Sequence, residues 1–183
     1  MHPGGTFCFD DSQWPLLVVR LTGEPSSLAF ENYLFRSTQY LQRQERHVCV
    51  FDVSALQILS SEQRQRQVEW LKANDALMSR TLLGVSYVVT SPVVRLTLGV
   101  IFHLKPLPAP YAFHTRLGEA REWAVMRLDE AGLRTSAERI RHMGLPAVET
   151  KAEAPPKVHN QESGWWSLTA ASRQAGPGPG PGR

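Results

Sequence analysis

The tightest constraint on the fold is the stretch Val48-Cys49-Val50-Phe51-Asp52-Val53-Ser54. It runs apolar without alternation and closes on an acid and a hydroxyl, just before a polar helical segment that begins at Ser61. A strand with one solvated face alternates apolar and polar residues; a strand covered on both faces need not. The stretch therefore reads as the central strand of a parallel sheet with helices on both sides. Its C-terminal loop, 55–61, is where partner-facing or ligand-facing residues would gather.

The remaining chain fits around that strand. Residues 6–10 and 15–21 read as two strands, joined by the turn-like Asp11-Ser12-Gln13 into an N-terminal antiparallel hairpin. Pro25-Ser26-Ser27 opens a helix over 27–44, with Phe30, Tyr33, Leu34 and Leu41 along one stripe. A single second helix is expected over 61–80, polar in its first half and carrying Val68, Leu71 and Met78 in its second. Residues 82–90 repeat the signature of a buried strand. Ser91 and Pro92 then start a helix over 93–104, serine as the cap and proline at the first position. That helix is apolar around most of its circumference. Its polar face is a narrow line of Arg95, Gly99 and His103, and Pro106 and Pro108 end it. A short strand at 110–114 precedes a helix capped by Thr115, striped by Leu117, Ala120, Ala124 and Leu128 and stopped by Gly132.

The order gives an α/β fold: a β-hairpin, then β-α repeats, with a mainly parallel five-stranded sheet flanked by four helices. It spans residues 1–131. Residues 132–145 hold an additional helix near Thr135, and 146–183 read as a disordered Pro/Gly-rich tail. Trp165-Trp166 in that tail is either a short binding motif or expendable.

Several function classes are excluded or disfavoured. The net charge is only +3, and the Lys and Arg residues alternate with Glu and Asp, which is the pattern of solvated faces and not of a nucleic-acid stripe. Cys8 and Cys49 sit in apolar runs and read as buried free thiols. No run approaches the roughly 18 apolar residues of a membrane span, and no basic segment leads into an apolar one near the N-terminus, so a cytoplasmic protein is expected. Glycine-rich phosphate loops and a Gly-x-Ser-x-Gly elbow are absent. The six histidines show no His-x-x-x-His spacing and there is no Cys-x-x-Cys. No cofactor, metal or enzymatic activity is expected. Asp52 reads as an acceptor for amides of the following loop, with general-base chemistry as the lesser alternative.

Four features in order resemble the STAS domain, the fold of bacterial anti-sigma-factor antagonists, and its divergent lipid-carrier-like relatives. They are the element order, Asp52-Val53-Ser54, Thr90-Ser91-Pro92-Val93-Val94, and Gly118-Glu119-Ala120-Arg121-Glu122-Trp123, and they cover about residues 6–128. The resemblance implies a non-catalytic protein-interaction module in bacterial signalling, with a carrier of a small apolar ligand as the alternative. In the antagonists a serine at the N-terminus of the second helix is phosphorylated by a partner kinase, and Ser60 and Ser61 fall at that place. Leu59 stands where the family's Asp-Ser-Ser-Gly signature has its acid, and Glu62 where it has its glycine. Ser60-Ser61-Glu62-Gln63 also has the form of a capping box.

Two candidate regions follow. One is a switch or partner-facing loop of Asp52, Ser54, Ser60 and Ser61. The other is a partner or ligand surface of Arg95, Leu96, Val100, His103 and Leu104. A helix packed on one side of a sheet needs about a third of its circumference apolar. The 93–104 helix exceeds that, so a protein partner, a second copy or the helix near Thr135 must cover the excess. In the carrier alternative, the same helix would wall an apolar pocket against the sheet.

Overall fold

The computed structural model describes residues 5–143. In chain order its elements are β1 (Thr6–Gln13), β2 (Leu16–Gly23), α1 (Ser27–Gln42), β3 (His47–Leu56), α2 (Ser61–Ala73), α3 (Asp75–Thr81), β4 (Leu82–Val88), α4 (Pro92–Leu104), β5 (Tyr111–His114), α5 (Leu117–Glu130) and α6 (Arg134–His142). The strands lie side by side in sequence order, β1-β2-β3-β4-β5, so β3 is the middle strand. The β1–β2 pair is antiparallel and the other three pairs are parallel.

The uniform apolarity of β3 has the expected cause. Cys49 and Val53 enter a core with Leu17, Val19, Val85 and Tyr87, closed by Phe30, Leu34, Leu71, Met78 and Ile101 from α1–α4. Val48 and Val50 enter a second core with Leu16, Val18 and Val88, closed by Ala120, Ala124 and Leu128 of α5 and by Ala137 and Ile140 of α6. Small alanines let α5 lie close to the sheet. Gly84 serves the same end, because a Cβ there would come within 2.8 Å of the Trp123 ring.

Several expectations need correction. Asp11-Ser12-Gln13 belong to β1 and the hairpin turns at Trp14-Pro15. The central strand runs on to Leu56, past the expected end at Ser54. The second helix is two helices: Asn74 leaves helical geometry at φ −105°, ψ 8°, and its side chain donates to the Trp70 carbonyl, closing α2 before α3 begins. The described residues therefore hold six helices, one more than the four flanking helices and the additional helix near Thr135 that were expected; the latter is α6. Thr115 does not cap α5. The helix starts at Leu117 behind Arg116, without a side-chain cap bond, and Arg116 Nε donates to Glu119 Oε1 at 2.9 Å instead. Helix α1 stops at Gln42, because Gln44 adopts φ 56°. The expected tail from residue 146 on, with Trp165-Trp166, lies outside the described residues.

His47 supplies a check on this packing. It is 1% exposed, its ring stacks on Trp14 at 5.1 Å, and its Nδ1 lies 2.9 Å from the Glu45 carbonyl. Burial holds its pKa below the ordinary value, outweighing the pull of the Glu45 carbonyl in the other direction. The folded state thus keeps the ring neutral, with Nδ1–H donating to that carbonyl. The unfolded chain takes up a proton near pH 6.5, so this contribution is complete above about pH 6.5 and is lost as pH falls toward the lower folded pKa. The urea midpoint of the wild-type protein should drop between about pH 7 and 5, and that drop should be smaller in His47→Gln. An unchanged slope would place the titration elsewhere.

Candidate functional site

Asp52 lies within β3, near its C-terminal end. The residue is 8% exposed, and both of its oxygens are engaged. Oδ1 accepts from the Ser54 amide at 3.2 Å and from Ser54 Oγ at 2.6 Å. Oδ2 pairs with Arg20 Nε at 3.1 Å. Arg20 faces Asp52 directly across the β2–β3 register. The amide acceptor role is the one expected; the ion pair is an addition. Its only sequence signal was one cation, Arg20, inside the otherwise apolar run of residues 16–21.

Ser60 caps α2 through a full capping box. Its Oγ accepts from the Gln63 amide at 3.1 Å, and Gln63 Oε1 accepts from the Ser60 amide at 2.9 Å. The Gln63 Nε2 group then donates to the Pro25 carbonyl at 2.7 Å, tying this turn to the start of α1. Ser61 Oγ accepts from Arg64 Nη2 at 2.9 Å, and Arg64 Nη1 donates to the Leu59 carbonyl at 2.7 Å. Leu59 itself is buried in the first core, which accounts for an apolar residue at that position. Asp52 and Ser54 are thus brought together. Ser60 and Ser61 bond within their own turn, and Ser54, Ser60 and Ser61 are all exposed.

Helix α4 has two apolar faces. Val94, Ile101 and Phe102 point inward, with Phe102 against Tyr87 and Tyr111 at ring distances of 5.5 and 5.0 Å. On the outer side Val93, Leu96, Val100 and Leu104 are 55%, 70%, 46% and 57% exposed. Beside them run Gly99 and His103, both exposed, and Arg95, whose guanidinium rests 5.0 Å over the Phe113 ring. Of the three alternatives for covering this stripe, the helix near Thr135 is corrected: α6 packs with α5 in the second core, on the opposite side of the sheet. Among the described residues nothing closes the outer face of α4.

A cavity of about 50 Å³ lies among Leu17, Cys49, Trp70, Met78, Tyr87 and Leu107, and no residue of α4 lines it. Small-molecule pockets run from roughly 300 to 1,000 Å³. Its thiol is inert, because burial pushes the Cys49 pKa up to about 12. Cys8, on the edge strand β1, is only half-buried, contrary to the expectation of two buried thiols. A cleft of about 350 Å³ opens between α5 and α6. Its arginines are already engaged, Arg141 with Asp129 and Arg121 with the carbonyls of Ile140 and Met143. Among the described residues no group of three or more His, Cys, Asp or Glu could hold a metal, and no helix is long and apolar enough to cross a membrane.

No family model matches the chain, and no curated protein does. Among solved structures it is similar to an uncharacterised protein of the DUF3478 family with a SpoIIAA-like fold, from Shewanella loihica PV-4. The match covers 66% of this chain and 94% of that one, at 14% identity and a TM-score of 0.51. The chain therefore has a SpoIIAA-like fold, as the sequence resemblance implied; at this identity the likeness speaks for the fold alone.

Proposed function

We propose that this SpoIIAA-like domain is a non-catalytic protein-interaction module of bacterial signalling or regulation, acting in the cytoplasm, and that it docks its partner on the outer side of α4. The observation that carries the reading is the row Val93, Leu96, Val100 and Leu104, four large aliphatic side chains left between 46% and 70% exposed on one helix. Single exposed apolar residues are ordinary, but a contiguous row of them marks a surface meant for contact. The end of β3 and the start of α2 support the same reading from the other side. Asp52 is spent on Arg20 and Ser54, and Ser60 on its cap, which is the work of a scaffold.

The test is Val100→Glu in the full chain. The substitution puts a charge on the exposed row and leaves the inward residues untouched, so melting temperature and elution volume should stay those of a folded protein. Proteins retained from native lysate by the wild-type chain should be lost at least tenfold, read by quantitative mass spectrometry. An unchanged set of retained proteins, together with unchanged solubility and unchanged mass by light scattering, would sink the proposal.

A further inference from the structure

We infer that the docked partner presents an amphipathic α-helix with acidic residues along its flank, seated on the outer face of α4 and closest to it at Gly99. This inference rests on the interaction-module reading above and specifies its partner. Three observations converge on it. Val93, Leu96, Val100 and Leu104 are spaced by three, four and four residues, the repeat by which one helix meets another along a seam.

Gly99 is the second observation. A glycine in the middle of a helix weakens it, yet nothing in this chain requires one here. Its φ is not positive, and a Cβ at that position would meet nothing within 4 Å. The free space lies next to Leu96, Val100 and His103 on the exposed side. A notch of this kind lets a second backbone come close. A lipid surface, which conforms to whatever it touches, has no use for one.

Charge is the third. No Asp or Glu occurs anywhere from residue 76 to 118, a stretch that includes all of α4 and β5. The row is flanked by Arg95 and His103, and Lys105 at the helix end is taken up by Asp75 at 2.5 Å. A second copy laid on α4 would offer Arg95 no carboxylate, because α4 carries none, which disfavours self-association. Carboxylates on the partner's flank complement Arg95.

The test places p-benzoylphenylalanine at position 96 of the full chain in native cells, with irradiation and sequencing of the cross-linked peptide. The expected product is a segment of another protein with apolar residues at helical spacing and Asp or Glu beside them. A synthetic peptide of that segment should bind the purified chain, losing at least tenfold affinity in Arg95→Glu and in Gly99→Leu. Gly99→Ala should raise the melting temperature, since the position is exposed and helical, which separates loss of docking from loss of fold. Cross-linking to a protein segment without an acidic helix overturns this inference and leaves the interaction-module reading standing. Products with lipid, with a second copy, with residues 144–183 of this chain, or with nothing overturn the inference, and all of these but the second copy also remove the basis for a protein partner at α4.

Discussion

Ile101→Ala is expected to destabilise the domain by about 2–5 kcal/mol, while Leu96→Ala on the same helix should cost less than about 0.5 kcal/mol. Both changes delete most of a large aliphatic side chain from α4. Ile101 is 1% exposed and sits in the first core beside residues of the sheet, so its removal loses transfer free energy and leaves a hole that the close-packed surroundings only partly fill. Leu96 is 70% exposed, and alanine is as good a helix former as leucine, so little is lost. Urea denaturation at constant slope measures both differences. The contrast separates the two apolar faces of one helix, one holding the fold and one available for contact. Equal, large losses would show that the outer face is already covered in the folded chain by residues outside 5–143.

Much of the fold was legible because burial on two sides leaves an unambiguous trace. The run at Val48–Val50 needed helices above and below it, and both cores supply them. The outer row of α4 was legible for the complementary reason: a helix apolar over more of its surface than one sheet face can use must leave some of it uncovered. What could not be read depended on competition or on register. The stripe of Val68, Leu71 and Met78 continues in helical phase through Asn74, so periodicity hides a break that a single side-chain bond to the Trp70 carbonyl decides. The side of the sheet that α6 would take was not encoded in its own nine residues; it follows from the short turn after α5, which returns the chain along the same layer. The partner of Asp52 sits 32 positions away, and only strand register brings Arg20 opposite it.

Asp52→Ala is expected to cost about 1–3 kcal/mol, and most of that cost should disappear when Arg20 is changed as well. Removing one member of a fully buried ion pair costs roughly 3–5 kcal/mol, because the other charge is left without a counterion in a poorly polar site. Here the Arg20 side chain keeps 28% of its exposure, so water shares the burden and the figure is reduced. Ser54 contributes the remainder, losing the acceptor for both its amide and its hydroxyl. In Arg20→Met/Asp52→Val neither charge remains, and two apolar side chains of suitable size extend the second core past Val18 and Val88. That double variant should lie within about 1 kcal/mol of the wild type in a denaturation cycle. It also separates the two roles open to the pair. If the pair only holds the end of β3 in place, the double variant keeps its partner and loses it only on a further Val100→Glu change. If stability is retained and the partner is lost, the Arg20–Asp52 pair is itself read in the complex, and the docking surface extends from α4 to the C-terminal edge of the sheet.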